Sequence, residues 1–217
     1  MWLDSSSGRV SKAMNLFWKN DERKDLEERM RQAGRLPPGQ VATLRWPVLH
    51  YGGVPRFDRD RWDFRTFGLV EKPLRFTYDE FLALGQTAVI ADMHCVTRWS
   101  RFDNCWEGVP AREAIARAQP GPDARFVLVH ADHGYTANVP LEDLMREDVL
   151  FASKHDGAPL APDHGYPLRL VVPHLYAWKS VKWVRGLEFL AQDAGGFWER
   201  NGYHIYGNPW KEQRYDE

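Results

Sequence analysis

The chain has 217 residues, of which 27% are charged, with a net charge of −1. That balance excludes a general affinity for nucleic acid or an anionic membrane surface, and the length supplies one good core or at most two small ones. No run of about 18 apolar residues is present, so no membrane span is expected. Two cysteines make no disulfide framework, and residues 1–7 show neither the basic-then-apolar order of a secretory signal nor a twin arginine. The expected compartment is the cytoplasm.

Residues 1–40 read as a polar N-terminal helical extension ahead of a main domain at 41–217. Met14, Asn15, Leu16, Phe17 and Trp18 form a short amphipathic patch. Residues 21–32 form a charge-rich helix whose apolar stripe, Leu26 and Met30, is too narrow for more than light packing. Pro37, Pro38 and Gly39 end it. A Gly- and Pro-punctuated loop follows, carrying His50 and Tyr51. Residues 62–70 partly alternate as a strand, with Trp62 and Phe64 on one face and a bulge expected near Gly68. Residues 74–78 form another strand, and Asp79 reads as the N-cap of a short helix with Phe81, Leu82 and Leu84 as its apolar members.

Residues 87–91 read as a buried strand that delivers Cys95 near its end, followed at once by Arg98, Trp99, Arg101 and Trp106. Residues 104–110 read as a turn, and 111–117 as a helix. Residues 126–130 form a buried strand ending on His130, bordered by Asp132, His133 and Gly134. Pro140 opens a short helix. Residues 149–152 make a strand, Asp156 and Gly157 a hairpin turn, and 168–173 a core strand. Residues 182–184 and 186–190 suggest a strand pair. An aromatic tail from Gly195, with Phe197, Trp198, Tyr203, Tyr206 and Trp210, is expected to pack against the domain. The predicted fold is one α+β domain, mostly β, with short connecting helices. Thirteen per cent aromatic residues, with ten Trp, point to lined pockets or interfaces as well as a core.

Two stretches carry chemistry. A thiol at a strand end, flanked by cations, has its thiolate stabilised, and the thiolate is the form that binds metals or attacks electrophiles. Several readings of Cys95 stand open. It is a small core hydrophobe, or the partner of Cys105 in a disulfide worth roughly 2–3 kcal/mol, which a cytoplasmic setting disfavours. A closed zinc site lacks the usual ligand spacing. A Cys–His nucleophile has His50, His94, His130, His133 and His164 to draw on. The last reading is a ligand to a cofactor-borne metal that needs only one protein thiolate. The second stretch, residues 163–183, sets Arg169, Lys179 and Lys182 around loops at strand ends, beside Ser180. Cations, a hydroxyl and exposed backbone N–H groups suit a phosphate. The spacing is no P-loop and no Gly-x-Gly-x-x-Gly occurs, which disfavours a nucleotide on a Rossmann crevice.

Together and in this order, the two stretches resemble the sulfite oxidase-like molybdopterin oxidoreductases. That superfamily includes eukaryotic sulfite oxidase, plant nitrate reductase and the bacterial protein-methionine-sulfoxide reductase catalytic subunit. The match lies in His94-Cys95-Val96-Thr97-Arg98-Trp99-Ser100, and in Gly165-Tyr166-Pro167-Leu168-Arg169-Leu170-Val171-Val172-Pro173 leading to Lys179-Ser180-Val181-Lys182-Trp183. Supporting similarity runs through Phe67-Gly68-Leu69-Val70, Pro73-Leu74 and Val139-Pro140-Leu141, so the resemblance covers about residues 41–190.

The resemblance implies a sulfite-oxidase-type molybdopterin-binding fold with mixed sheets, occupying the domain at 41–217. It implies a molybdenum atom held by the pterin dithiolene and the thiolate of Cys95, a soft ligand for a redox metal. Arg169, Lys179, Ser180, Val181 and Lys182 would grip the pterin and phosphate. His94, His130 and His164, with His50 and Tyr51 on the early loop, would be further cofactor contacts. His164 stands where the sulfoxide-reductase branch tends to carry Asn, and His130 where it has a hydroxyl residue. The implied reaction is a two-electron oxygen-atom transfer on a small sulfite- or sulfoxide-like substrate, with the cofactor supplying the hard chemistry. Sulfite would call for several cations around the metal, with Arg98 and Arg101 as candidates. The chain is too short to add the haem and dimerisation domains of larger relatives, so electrons would pass to or from a separate partner. The alternative is a non-catalytic relative that binds a pterin or another anion, though a scaffold has little use for the Cys95 thiol. A Cys–His hydrolase or transferase lacks a nucleophile elbow or oxyanion motif.

Overall fold

In the computed structural model, the backbone is described for residues 7–216 and the side chains for residues 20–216. The segment at residues 1–6 and the side chains of the patch from Met14 to Trp18 lie outside the described residues. In chain order the elements are α1 (Ser7–Gln32), β1 (Val41–Ala42), β2 (Asp63–Gly68), β3 (Leu74–Thr77), α2 (Tyr78–Leu82), β4 (Thr87–His94) and β5 (Trp99–Pro110). Then come α3 (Ala111–Ala118), β6 (Phe126–Ala131), β7 (Thr136–Pro140), α4 (Leu141–Leu144), β8 (Leu150–His155), β9 (Ala158–Pro159), β10 (Arg169–Val171) and β11 (Val184–Leu190).

Alternation of apolar residues drives two mixed sheets. One has the order β3-β2-β11-β6-β7; the other runs β1-β5-β8-β10, with β4 paired to β5 and β9 to β8. Phe64, Phe81, Ile115, Val127, Phe151, Leu170 and Phe189 are buried in one cluster that draws on both sheets and on α2 and α3. Burying a side chain such as Phe64 contributes roughly 1.5–3 kcal/mol. The α+β, mostly β architecture is therefore as expected, as is the tight hairpin after β8. Asp156 and Gly157 there take φ of 49° and 78°, the pair of positive values a two-residue β-turn of this hand needs.

Several local expectations change. The N-cap of α2 is Thr77, not Asp79: its hydroxyl and the Glu80 carboxylate bond reciprocally in a capping box. The strand leading to Cys95 is half exposed, since among the described residues β4 pairs only with β5 and Ile90 is 72% exposed. The expected turn at 104–110 is the second half of the twelve-residue strand β5. Ser100, Phe102, Asn104, Trp106 and Gly108 all fall on its buried side. A register shift in β5 at Glu107 and Gly108 brings Gly108 so close to β8 that a Cβ there would stand 2.0 Å from Phe151 O. The expected strand pair at 182–190 is one strand. Lys182 makes a single bridge to Arg169 and Trp183, at φ 53°, turns the chain into β11. Gly68 ends β2 at φ 85° rather than bulging within it. Pro140 closes β7 one place ahead of α4.

The helix α1 also starts earlier than the charge pattern suggests. Its contacts are nonetheless specific: Leu26 and Met30 pack on Leu36, Ala42 and Phe102, and the Glu27 carboxylate accepts from Ala42 N at 3.0 Å. Beyond it, Arg35 binds Asp92 at 2.6 Å and Asp103 at 2.5 Å. The aromatic tail packs inward, with Trp198 and Tyr203 against Cys95, Val96, Tyr176 and Trp178.

Candidate active site

Cys95 leaves β4 at a tight turn. Its N–H donates to Trp99 O at 2.8 Å and Arg98 N–H donates to Cys95 O at 3.0 Å, with Arg98 at φ 74°. Two distant side chains hold the turn from outside. Gln40 Nε2 donates to Cys95 O at 2.9 Å, and Arg214 Nη1 donates to Val96 O at 2.8 Å. The thiol itself meets a hydroxyl, Thr97 Oγ1, 3.1 Å from Sγ.

That turn forms one wall of a cavity of about 370 Å³. The loop after β1, Trp99 at the start of β5, the segments after β6 and around β10, and the C-terminal tail supply the rest. Of the residues singled out in the sequence, His50, Tyr51, Cys95, Arg169, Ser180, Val181 and Lys182 line it together. Trp99, Tyr135, Trp178, Trp183, Trp198 and Tyr203 do so as well, and sequence reasoning missed these as site residues. Trp99 and Trp183 stand in the two stretches that carry the resemblance, and Trp198 and Tyr203 in the aromatic tail, but nothing in the chain says that they converge with Tyr135 and Trp178.

Four other candidates lie outside the lining. His94 is buried with its Nδ1 2.8 Å from Ser100 Oγ, and burial pushes its pKa down to about 4. His130 Nε2 pairs with Glu188 Oε2 at 2.8 Å across β6 and β11. His164 stacks on Trp46 at 3.7 Å; burial, with Lys182 next, lowers its pKa to about 4. Lys179 is 1% exposed and its ammonium lies 2.5 Å from Glu199 Oε1, with Asn138 O and Oδ1 and Ile205 O as further acceptors.

The electrostatics differ from the flanking-arginine expectation. Arg98 is exposed, and Arg101 is spent on Asn104, His155 and Asp156. Burial pushes the Cys95 thiol up, opposed by the Thr97 hydrogen bonds and then by the charges of Arg214 and Lys182. The cations in the cavity wall are Arg169 and Lys182. Arg169 is fully buried between the faces of Trp46 and Trp106, each 5.3 Å away. It donates to His164 O and Ser180 O, both at 3.0 Å, while its Nε has no partner among the described residues. Burial alone lowers its pKa to about 9. Lys182 donates to Leu49 O at 2.9 Å and Asp163 O at 2.7 Å, and burial followed by repulsion from Arg169 brings it to about 7.

No carboxylate is among the described lining residues. A buried Arg169 and a partly buried Lys182 with no carboxylate in the lining are costly to keep charged, and an anionic group in the cavity relieves that cost. A soft thiolate donor and a carboxylate-free pair of cations on one wall fit a group that carries both a metal and a phosphate.

Comparison with known proteins gives the same answer. The family model described as the oxidoreductase molybdopterin binding domain matches residues 51–198. The oxidoreductase YuiH of Bacillus subtilis is 46% identical over 85% of this chain and 93% of its own. The protein-methionine-sulfoxide reductase catalytic subunit MsrP of Campylobacter jejuni is 27% identical over 70% of this chain and 56% of its own length. Among solved structures, the sulfane dehydrogenase SoxCD of Paracoccus pantotrophus superposes with a TM-score of 0.62 at 26% identity, covering 70% of this chain and 43% of that one. The fold is of the sulfite-oxidase type and the cofactor is molybdopterin-borne molybdenum. The chain belongs to the oxidoreductase molybdopterin-binding domain family and is an oxidoreductase.

Proposed function

We propose that this enzyme transfers an oxygen atom to or from a small, neutral, sulfoxide-like substrate, exchanging two electrons with a separate partner protein. The observation that carries the reading is the placement of Cys95 on the same cavity wall as Arg169 and Lys182, with no carboxylate among the described lining residues. The bound molybdenum cofactor supplies the two-electron change and the oxygen transfer.

The chain's own residues bind, orient and shield. Cys95 is the metal ligand, on a turn fixed by Gln40 and Arg214. Arg169 and Lys182 neutralise the phosphate and the pterin's polar edge. Ser180 accepts from Val172 N at 2.9 Å, which sets the loop whose Ser180 and Val181 backbone faces the same group. His50 and Tyr51 close the cavity mouth. Lys179 acts behind the wall, and His94, His130 and His164 support the fold around it.

The wall near Cys95 favours a neutral substrate over sulfite. Trp99, Trp178, Trp198 and Tyr203 make it aromatic, and neither Arg98 nor Arg101 lines it. An oxyanion would lack the extra cations it needs once Arg169 and Lys182 are engaged by the cofactor. The description of the MsrP relative as a catalytic subunit supports a separate electron partner.

The test is metal and pterin analysis of protein purified from cofactor-sufficient cells, beside Cys95→Ser. One molybdenum per chain, lost in a folded serine variant, is the expected result. A folded wild-type protein holding neither molybdenum nor pterin sinks the reading. Turnover of sulfite faster than of an alkyl sulfoxide would sink the substrate class alone.

A further inference from the structure

From Trp46 to Phe57 the chain runs without helix or strand, and its first half borders the cavity. Its two ends are anchored by aromatic contacts: Trp46 on His164 at 3.7 Å, and Phe57 on Tyr78 and Tyr166 at 5.1 and 5.2 Å. Among the described residues, no main-chain group from Leu44 to Phe57 bonds another main-chain group. A stretch so poor in backbone hydrogen bonds belongs to the low end of local stability, and long segments of this kind in folded domains are commonly lids.

Between the anchors, Pro47, Leu49, His50 and Tyr51 line the cavity, and three contacts hold them down. The His50 ring stands edge-on to Trp183 at 5.1 Å. The Tyr51 ring rests on Phe197 at 4.3 Å, reaching the C-terminal tail. The third contact is polar: Lys182 Nζ donates to Leu49 O, and no other side-chain hydrogen bond joins residues 46–57 to the rest of the fold among the described residues. Lys182 also lines the cavity. One ammonium thus faces both the strap and the space beneath it, with two of its three N–H groups on Leu49 O and Asp163 O.

We propose that residues 46–57 form a strap whose closure over the cavity is coupled, through Lys182, to an anionic group bound beneath it. The coupling rests on the cofactor reading above. An anion held by Lys182 fixes the ammonium, which fixes Leu49 O and with it the strap. Movement of the ammonium frees the one polar tie. Coupling of this form is reciprocal: strap closure retains the anion as much as the anion retains the strap.

Trypsin reports on the strap directly, because Arg45, just before it, and Arg56, near its C-terminal end, are exposed. The protein is made in cofactor-sufficient cells and in cells unable to make the cofactor, molybdenum and pterin are assayed in both, and cleavage after Arg45 and Arg56 is timed. Cleavage at least tenfold slower in the loaded protein is expected. Lys182→Met should restore fast cleavage in whatever fraction still holds cofactor. Phe197→Ala, outside the cavity lining, releases Tyr51 and should speed cleavage and, by the same reciprocity, shed molybdenum and pterin faster than wild type on dialysis. This variant carries the test if the methionine variant holds no cofactor, and fast cleavage with wild-type cofactor retention overturns the coupling. Equal cleavage of loaded and cofactor-free wild-type protein overturns the coupling and leaves the cofactor reading standing. A folded wild-type protein that takes up neither molybdenum nor pterin overturns both.

Discussion

The Lys179 ammonium and the Glu199 carboxylate meet at 2.5 Å with side-chain exposures of 1% and 2%, directly behind the cavity wall. The same carboxylate oxygen accepts from Trp178 Nε1 at 2.8 Å, and Trp178 lines the cavity. The pair therefore ties the loop of residues 177–182 to the C-terminal tail. Removing one partner strands a buried charge, a loss of about 3–5 kcal/mol. Lys179→Met or Glu199→Leu should each cost that much in urea unfolding, and the double variant less than either. Three variants of equal midpoint to wild type would show the pair to be inert.

Asp63 is the hub of a second network, with Arg65, Arg75 and Arg185 all on one carboxylate at 2.6–2.7 Å. Burial acts against its charge, but hydrogen bonds from Arg65, then Arg185 and Arg75, outweigh it and hold its pKa at about 2, against 3.8 for a free side chain. A depressed carboxylate contributes stability that is complete above the unfolded pKa and is lost as pH falls through the folded one. Roughly 2 kcal/mol should disappear between about pH 4 and pH 2. Unfolding measured across that range should show the loss in wild type, and Asp63→Asn should flatten it.

His164 titrates near 4 rather than 6.5, first through burial and next through Lys182. The native imidazole stays neutral where an unfolded one charges. Its contribution is therefore whole above about pH 6.5 and erodes as pH falls toward 4. The imidazole resonance followed by NMR should move with a midpoint near 4 in wild type and higher in Lys182→Met. An unchanged midpoint in that variant would remove the lysine from the account.

Gly108 tests the register of the central strand. An added Cβ would meet Phe151 O at 2.0 Å and Ala152 Cα at 2.7 Å, backbone atoms on β8 that cannot rotate away. Gly108→Ala should cost roughly 3 kcal/mol, and a calorimetric scan reads it as a lowered Tm.

Much of this was legible in the chain. The strand-end position of Cys95 and the place of Arg169 in a core strand followed from short apolar runs, because such features are local; that the Arg169 guanidinium is buried did not. Lys179 was not legible. It lies three residues from Lys182 with the same charge, and only the fold brings Glu199 and Asn138 to it while leaving Lys182 at the cavity. The length of β5 was hidden because Asn104 and Gly108, both turn formers in isolation, are buried there by pairing with β4 and β8. The aromatic wall was unreadable for a related reason: Trp99, the pair Trp178 and Trp183, and Trp198 come from three separate segments and share no periodicity.

Gln40 and Arg214 bond consecutive carbonyls, of Cys95 and Val96, across separations of 55 and 118 residues. Contacts of that span carry a loop-closure cost that only the rest of the fold offsets. The shape of the turn beneath the Cys95 thiol therefore depends on both ends of the chain being docked, and a loss of docking at residue 214 is felt at the thiol as much as at the C-terminus.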